Sequence, residues 1–391
     1  MLKNGFGIFA LAAFAAILLS CNGEIDPGMA PGGQQQGGGD NGAQTFTATI
    51  YRQNSEGYPV FRIPAMVTST KGTLLCFCEG RATYDDNGNI DMVVKRSEDL
   101  GKSWGSLIKI ADAGDDRYGN PVPVVLESGR ILLVFGWSVA SSASSSKVLC
   151  CFSDDDGKTW SAPVDITAQV KTSARSKYQT GPVHGIVKQL NPHKGRIIIP
   201  VYGTASDGKP SGVFYSDDNG DSWHPGGSIN YSKGGEPTVT ELGDGSIILN
   251  MRDKDDDPYR YQATSTDGGE TWGEPYSTTL IEPGCQGALL TYDFGTSAQT
   301  TTLLFSNPTN TASRRHGAVK MSTNGGAVWK YSYQYTSDTG DGMYSSYSDL
   351  TVVKDDIIGI AYEAGYKNSA GILFKSIRIK EITALYTAQD K

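Results

Sequence analysis

Short apolar runs, each preceded by a turn signal, dominate the pattern of hydrophobic and polar positions. Three of them begin with glycine and one polar residue, followed by a run of Ile, Leu and Val: residues 129–135, 195–200 and 245–250. Short apolar runs bounded by turn residues are typical of buried strands. No segment shows a convincing helical period. The pattern therefore predicts an all-β protein.

A motif of eight residues recurs between these runs. Its copies start at Ser97, Ser153, Ser216, Ser265 and Ser322. Four copies fit S-x-D-x-G-x-[ST]-W, while the fifth has Asn324 for Asp and Val328 for Ser or Thr. Asp and Ser side chains can bond nearby backbone amides, Gly can take a positive φ, and Trp can pack beside the turn. We therefore expect a hairpin turn at each copy.

The spacing of the copies gives the size of the repeating unit. Their starts are 56, 63, 49 and 57 residues apart, the size of one propeller blade. The second copy also contains an acidic run, residues 154–156, which could be taken for a calcium site. We favour the turn, because the Gly and Trp spacing repeats in the other copies and the extra acids do not.

Composition restricts the class of partner. The chain has 391 residues with 34 basic and 42 acidic side chains, a formal net charge of −8. Such a chain has no overall attraction to nucleic acid or to an anionic membrane surface, so an anionic ligand must be captured by local arginines. The 48 glycines and 20 tyrosines fit a β protein with many turns.

The N-terminus has the features of a targeting segment. Lys3 precedes an apolar run, residues 6–19, which is too short for a comfortable membrane span. The run ends at Ser20-Cys21, which resembles the lipobox of bacterial lipoproteins; the alternative is an ordinary signal peptide with an incidental cysteine. We expect residues 1–21 to be a signal peptide with Cys21 lipidated, and residues 22–45, rich in Gly, Gln and Pro, to be a flexible tether. The protein would then be exported to the periplasm or the cell surface. Its lipid anchor would be its only attachment to the membrane.

The remaining cysteines are Cys76, Cys78, Cys150, Cys151 and Cys285. Their number is odd, so they cannot all pair. They show no CxxC pair and no His spacing typical of zinc. We predict buried free thiols and no metal, despite the oxidising compartment that export implies.

A further motif, Phe61-Arg62-Ile63-Pro64, indicates the family. Together with the repeated boxes, it makes residues 46–391 resemble the retaining exo-sialidases of bacteria, whose Asp boxes have the same form. The resemblance implies a six-bladed β-propeller with about 58 residues per blade, a length that follows from the 346 positions available. It places the boxes between the third and fourth strands of each blade, on the side away from the active site.

The resemblance also implies three arginines that bind the substrate carboxylate. They are Arg62, Arg252 at the end of Leu249–Arg252, and Arg314. Arginine suits this role, because its planar fork binds a carboxylate through two hydrogen bonds and keeps its charge. Arg315 is the alternative to Arg314; we prefer Arg314, which lies eight residues before Ser322, the spacing of the family.

The family uses a tyrosine nucleophile, since a carboxylate would be repelled by the anionic substrate. Tyr347 in a Tyr-Ser-Asp-Leu sequence matches that position, and Glu236 in Gly-Glu-Pro-Thr-Val matches its general base. Tyr344 and Glu241 are the local alternatives.

The remaining expected roles also follow from the resemblance. Asp86, five residues after Arg81, would be the general acid/base, with Asp85 as the alternative. Arg81 would contact the O4 hydroxyl of the sugar ring, and Glu363 would orient Arg62. The segments 119–121 and 285–287 resemble pocket-lining loops.

We thus predict hydrolysis of terminal sialic acid from sialylated glycans, without a cofactor. Two alternatives remain. One is a non-catalytic propeller that binds glycans or proteins, against which the complete set of site residues argues. The other is transfer of the sialyl group, within or between molecules, which uses the same residues and cannot be separated from hydrolysis by sequence.

Overall fold

β-Strands account for almost all regular structure in the computed structural model, which confirms the all-β prediction. It describes residues 45–139, 142–172, 177–204, 208, 210–229, 231, 234–253 and 257–386. The first strand is β1 (Phe46–Tyr51), and one short helix is α1 (Thr167–Val170). Single 3-10 turns occupy Ala298–Thr300, Asp341–Met343, Tyr366–Asn368 and Ile379–Glu381.

The eight strands after β1 form one sheet with two antiparallel halves. The first half contains β2 (Val60–Thr68), β3 (Leu74–Arg81), β4 (Ile90–Ser97) and β5 (Ile108–Ala111). The second half contains β6 (Arg117–Val125), β7 (Ile131–Val139), β8 (Ser142–Ser153) and β9 (Val164–Asp165). A parallel bridge between Ile90 and Arg117 joins the two halves.

Three antiparallel sheets follow in chain order. The first has β10 (Lys177–Thr180), β11 (Ile186–Val187), β12 (Ile197–Thr204), β13 (Ser211–Ser216) and β14 (His224–Ile229). The second has β15 (Gly234–Glu241), β16 (Ile247–Asp253), β17 (Tyr259–Ser265) and β18 (Tyr276–Ile281). The third has β19 (Ala288–Asp293), β20 (Thr302–Pro308), β21 (Gly317–Ser322) and β22 (Tyr331–Gln334).

The last sheet combines the first strand of the described chain with three strands from its C-terminal part. It consists of β23 (Ser345–Lys354), β24 (Ile357–Ala364) and β25 (Gly371–Arg378), with β1 as its outer strand. Phe46 of β1 lies opposite Ser376 of β25. A final short strand, β26 (Ala384–Leu385), pairs with β22 of the preceding sheet.

The first strands of the sheets meet near the centre of the molecule, where Asp349 of β23 is fully buried. Its carboxylate accepts hydrogen bonds from the amides of Met66, at 2.9 Å, and His184, at 3.0 Å, and lies 2.7 Å from the His184 Nδ1 atom. One side chain therefore connects three sheets at the centre. The sheets are arranged radially, as blades of a β-propeller.

Each repeated box forms the turn after the third main strand of a sheet or half-sheet, where the two-residue strand β11 is left out of the count, as the resemblance implied. The boxes begin at the last residues of β4, β8, β13, β17 and β21. In the second box the Asp155 carboxylate accepts bonds from the Ser153 hydroxyl at 2.8 Å and the Thr159 hydroxyl at 2.6 Å. Gly157 has φ 80° and donates its amide to Ser153 at 2.8 Å. The last sheet has no such turn, because its outer strand β1 comes from the other end of the chain.

The acidic run of the second box has separate partners for its three side chains. Asp154 pairs with Arg130 at 2.7 Å, and Asp156 accepts a bond from Thr73 at 2.7 Å. In the described part of the chain, no cluster of three or more His, Cys, Asp or Glu side chains could hold a metal ion. The observed contacts support the turn interpretation.

The five cysteines after Cys21 are buried and unpaired, which confirms the prediction of free thiols. Burial raises the pKa of the Cys150 thiol to about 12. Within the described ranges, no helix is long and apolar enough to span a membrane.

Candidate active site

A cavity of about 620 Å³ opens at one edge of the sheets. It is lined by residues near the starts of first strands, such as Arg62 and Tyr347, and by residues at the ends of second strands, such as Arg81 and Arg252. In an antiparallel sheet these positions share one edge, whereas the boxes follow third strands and lie at the opposite edge. No box residue is among the lining residues.

Irregular pairing occurs in the first strands where they reach the cavity. The register shifts between Arg62 and Ala65 in β2, between Gly235 and Pro237 in β15, and between Ser345 and Ser348 in β23. A β-bulge redirects side chains locally, and bulges are common beside active sites. The bulges thus change the direction of side chains in three strands, and Arg62, Glu236 and Tyr347 all point into one cavity.

Tyr347 and Glu236 form the centre of this cavity. The Tyr347 hydroxyl donates a short hydrogen bond to Glu236 Oε1, and Glu236 Oε2 accepts a bond of 2.7 Å from Arg252. Burial raises the pKa of Tyr347 well above its usual value, and the Glu236 carboxylate raises it further, while Arg252 and Arg314 act in the opposite direction. The phenol is therefore neutral at physiological pH, with its proton directed at a carboxylate.

Three arginines surround the tyrosine. The guanidinium carbons of Arg62 and Arg314 lie 5.6 and 5.4 Å from the centre of the Tyr347 ring. Arg252 Nη1 lies 3.3 Å from the Tyr347 hydroxyl. Arg314 is held by the Gly284 carbonyl at 3.0 Å. A protein with an excess of acidic residues thus concentrates positive charge at one point, where an anionic ligand would bind.

Glu363 fixes the first of these arginines. Its side chain is fully buried, and one carboxylate oxygen accepts bonds from Arg62 Nε at 3.2 Å and from the Ile63 amide at 2.8 Å. Burial alone would lower the pKa of Arg62, but the surrounding acidic groups together, with Glu363 first among them, raise it above its usual value. Arg62 therefore stays charged and fixed in orientation.

Asp86 lies on an exposed loop above the arginines, and its side chain is 76% exposed. Its carboxylate accepts a bond of 2.9 Å from Arg81 and lies 3.4 Å from Arg62 Nη1. Arg81 itself is buried and anchored on Glu79 at 2.7 Å. Asp86 therefore lines the same cavity as Tyr347.

The local alternatives occupy other places. Arg315 donates to the Tyr344 hydroxyl at 2.9 Å, and neither residue is among those lining the cavity. Asp85 gives only its carbonyl to Arg81, at 3.3 Å. Glu241 pairs with buried Lys188 at 2.5 Å, away from the cavity. The structure thus brings together Arg62, Arg81, Asp86, Glu236, Arg252, Arg314 and Tyr347, with Glu363 behind Arg62.

One of the two expected lining loops is not in the cavity wall. Gly119 and Asn120 line the cavity, but residues 285–287 do not. Cys285 instead packs behind Tyr347, because Gln286 is bound to the Ser348 backbone at 3.0 Å and holds the segment beneath the strand.

Sequence reasoning also missed part of the cavity wall. Tyr202 lines it and accepts a bond of 3.3 Å from Asn120, yet nothing in its surroundings distinguishes it among 20 tyrosines. Arg117 and Trp137 line it too, and their only signal is their position beside apolar strands.

Residues 72–360 match a family described as a BNR repeat-like domain. A sialidase of Clostridium perfringens is 31% identical over 85% of this chain and 91% of its own length. The sialidases of Bacteroides fragilis and Micromonospora viridifaciens are each 31% identical, and the matches cover 82% and 79% of this chain. The chain spans only 62% and 50% of the length of those two relatives.

Solved structures have the same fold. The Hadza microbial sialidase Hz136 is 30% identical, with a TM-score of 0.74 over 83% of this chain and 67% of that one. An intramolecular trans-sialidase from Ruminococcus gnavus has the same TM-score at 20% identity, covering 86% of this chain and 98% of that one. The second likeness concerns the fold alone.

Proposed function

Because the chain belongs to the sialidase family, we propose that it is a retaining exo-α-sialidase that hydrolyses terminal sialic acid from sialylated glycans. One observation carries the proposal: the Tyr347 hydroxyl is bonded to Glu236 inside a ring formed by Arg62, Arg252 and Arg314. A neutral nucleophile with its own base, among cations, suits a substrate that carries a carboxylate on the reacting carbon.

In the first step the arginines bind the substrate carboxylate. Glu236 takes the Tyr347 proton as the phenolic oxygen bonds to the anomeric carbon. The bond to the leaving sugar breaks, and Asp86 gives its proton to the departing oxygen. The product is a glycosyl-enzyme linked through tyrosine.

In the second step water attacks the anomeric carbon. Asp86, now ionised, takes a proton from that water, the bond to the tyrosine oxygen breaks, and Glu236 returns its proton to Tyr347. Two inversions give net retention. The side chains of the cavity suffice for both steps, so no cofactor enters the proposal.

The proposal includes six blades. We count the two halves of the eight-stranded sheet as one blade each, since each half is a complete antiparallel unit with its own box. The other four sheets supply the remaining blades.

Proton NMR of the reaction with 3′- and 6′-sialyllactose tests the function. Hydrolysis with retention releases α-sialic acid first, which then mutarotates. An anhydro product would indicate intramolecular transfer, and β-sialic acid as first product would contradict retention. Binding without turnover would favour the alternative of a non-catalytic propeller.

We also propose that the protein is exported and lipid-anchored through Cys21, which lies outside the described residues. The proposal rests on the lipobox-like sequence that ends the apolar run. In a Gram-negative host, Cys21→Ser should move the protein from the membrane fraction to the soluble fraction. Equal membrane association of the variant would contradict it.

A further inference from the structure

The loop that carries Asp86 has little backbone support of its own. It connects β3 to β4, and residues 82–87 are all exposed. A bond of 3.1 Å from the Ala82 amide to the Asn89 carbonyl closes its base. The position of the Asp86 carboxylate therefore depends on side chains that reach the loop from elsewhere.

Arg81 supports the inner side of this loop. Its Nη1 atom contacts the carbonyls of Tyr84, at 3.1 Å, and Asp85, at 3.3 Å, as well as the Asp86 carboxylate. These bonds hold the first part of the loop. They do not hold the backbone at and beyond Asp86.

Arg117 supports that part from the outer side. Its Nη1 atom donates to the Asp86 carbonyl in a short bond and to Asn87 Oδ1 at 2.9 Å. Its Nε atom donates to the Ser138 hydroxyl on β7. Arg117 is the first residue of β6 and forms the parallel bridge with Ile90, so its backbone belongs to the sheet. The guanidinium thus links the loop tip to two strands.

We propose that Arg117 is a positioning residue for the general acid/base: it holds the backbone of Asp86 so that the carboxyl group can reach the oxygen of the leaving sugar. This inference rests on the proposed function. Arg117 bonds to the main chain of Asp86 and not to its carboxylate, so it fixes the backbone that carries the acidic group. Arg81 and Arg62, by contrast, face the carboxylate itself.

The leaving group separates positioning of the acid from other roles. A 4-nitrophenyl sialoside needs little protonation, whereas sialyllactose requires it in the step that kcat/KM reports. Arg117→Met should lower kcat/KM for 3′-sialyllactose by roughly 10- to 100-fold and change the aryl value by less than about 3-fold. Arg130→Met removes an arginine outside the cavity and should leave kcat/KM unchanged for both substrates. If Arg117 bound the substrate directly, both values would fall together, which would overturn the proposal.

A double variant tests whether Arg117 acts through Asp86. In the Asp86→Ala background, Arg117→Met should cause no further loss on sialyllactose. A further loss of the same size would contradict the proposal. If Arg117→Met does not fold, Arg117→Lys replaces it in the test. Lysine retains the charge but lacks the fork, so the loss on sialyllactose relative to the aryl substrate should be intermediate.

Hydrogen–deuterium exchange gives a result that does not depend on catalysis. Peptides covering residues 82–89 should exchange faster in Arg117→Met than in the wild type or Arg130→Met, while strand peptides stay unchanged. If the wild type cleaves neither substrate, the proposed function fails and this exchange result alone decides the positioning of the loop. Unchanged exchange in the loop would overturn the inference even in an active enzyme.

Discussion

Ile63 has a left-handed backbone conformation, with φ 60°, which a β-branched residue rarely adopts. Such a conformation costs about 1–3 kcal/mol and persists only when its surroundings impose it. Here the Ile63 amide is bound by Glu363, and its side chain is buried with Cys285 and Tyr347. The strained residue forms the bulge that places Arg62 beside the nucleophile, so stability is given up for the geometry of the site.

At the nucleophile, we predict covalent labelling. A 3-fluorinated sialyl fluoride should trap the glycosyl-enzyme, because fluorine destabilises the oxocarbenium-like transition states while fluoride still leaves. Peptide mass spectrometry should place the label on Tyr347. Tyr347→Phe removes one hydroxyl and should abolish labelling without loss of fold. A label on Glu236 or Tyr344 would show that the assigned nucleophile is wrong.

The two adjacent arginines make a matched pair of variants. Arg314→Lys loses the planar fork inside the cavity and should lower kcat/KM by roughly 30- to 1,000-fold, or about 2–4 kcal/mol of transition-state binding. Arg315→Lys should have little effect, because Arg315 lies against Tyr344 outside the cavity. Steady-state kinetics with one sialoside measure kcat/KM for both variants. A large loss in Arg315→Lys and a small one in Arg314→Lys would make Arg315 the third arginine.

Motifs were enough to name the seven charged and nucleophilic side chains proposed for the site, but they named neither the rest of the cavity wall nor the geometry that brings those side chains together. A regular strand would place Arg62 and Pro64 on the same face, and only the bulge alters that. Proline inside apolar strands at Pro64, Pro121 and Pro237 was an available signal, since proline within a sheet is confined to edges and bulges. Tyr202 gave no signal, because its place in the wall depends on packing between sheets.

Among the elements, the box turns show how a sequence repeat becomes a structural one. In the fourth box Asp267 accepts bonds from the Thr271 amide at 2.9 Å and hydroxyl at 2.5 Å. In the fifth box Asn324 accepts the amide of Val328 at 2.9 Å, but valine has no hydroxyl and is 54% exposed. The fifth turn therefore lacks one side-chain bond of its relatives.

Restoring that bond should stabilise the protein. Asn324→Asp with Val328→Thr should raise the free energy of unfolding by about 1 kcal/mol, since the new bond is charge-assisted but exposed. Urea unfolding followed by fluorescence would measure it. Val328→Thr alone should give less, because the amide of Asn324 is a poorer acceptor. Destabilisation by the double variant would mean that the apolar contact of Val328 matters more than the turn bond.

For the whole molecule, the buried thiols report on cooperative unfolding. The five cysteines after Cys21 are buried, and burial raises the pKa of each thiol. In the native state a reagent therefore cannot reach these thiols, and they are not ionised to the reactive thiolate. In a Cys21→Ser variant at pH 8, a disulfide reagent should find almost no reactive thiol in native protein and all five in guanidinium chloride. Rapid reaction of one thiol in native protein would indicate local opening. Cys285 would be the first candidate for that thiol, because it packs behind Tyr347 in the cavity wall.

The sequence repeats predicted a series of similar sheets, but two of the strand pairings in the molecule have no signal in the local sequence. One is the Ile90–Arg117 bridge that merges two halves into an eight-stranded sheet. The other is the pairing of β1 with β25, where partners lie far apart in the chain. A hydrophobic pattern identifies a strand and its buried face, but it does not identify a partner strand that distant.

The pairing of β1 with β25 also sets the order in which the molecule can be completed. Phe46 leaves the ribosome first and Ser376 is made 330 residues later, a wait of roughly 15–65 s at common synthesis rates. During that time the outer strand of the last sheet has no partner, and the intervening chain must find its place with the ring open. The last sheet therefore cannot be completed before β25 is made, and a chain halted before β25 keeps two unpaired edges exposed to aggregation and proteolysis.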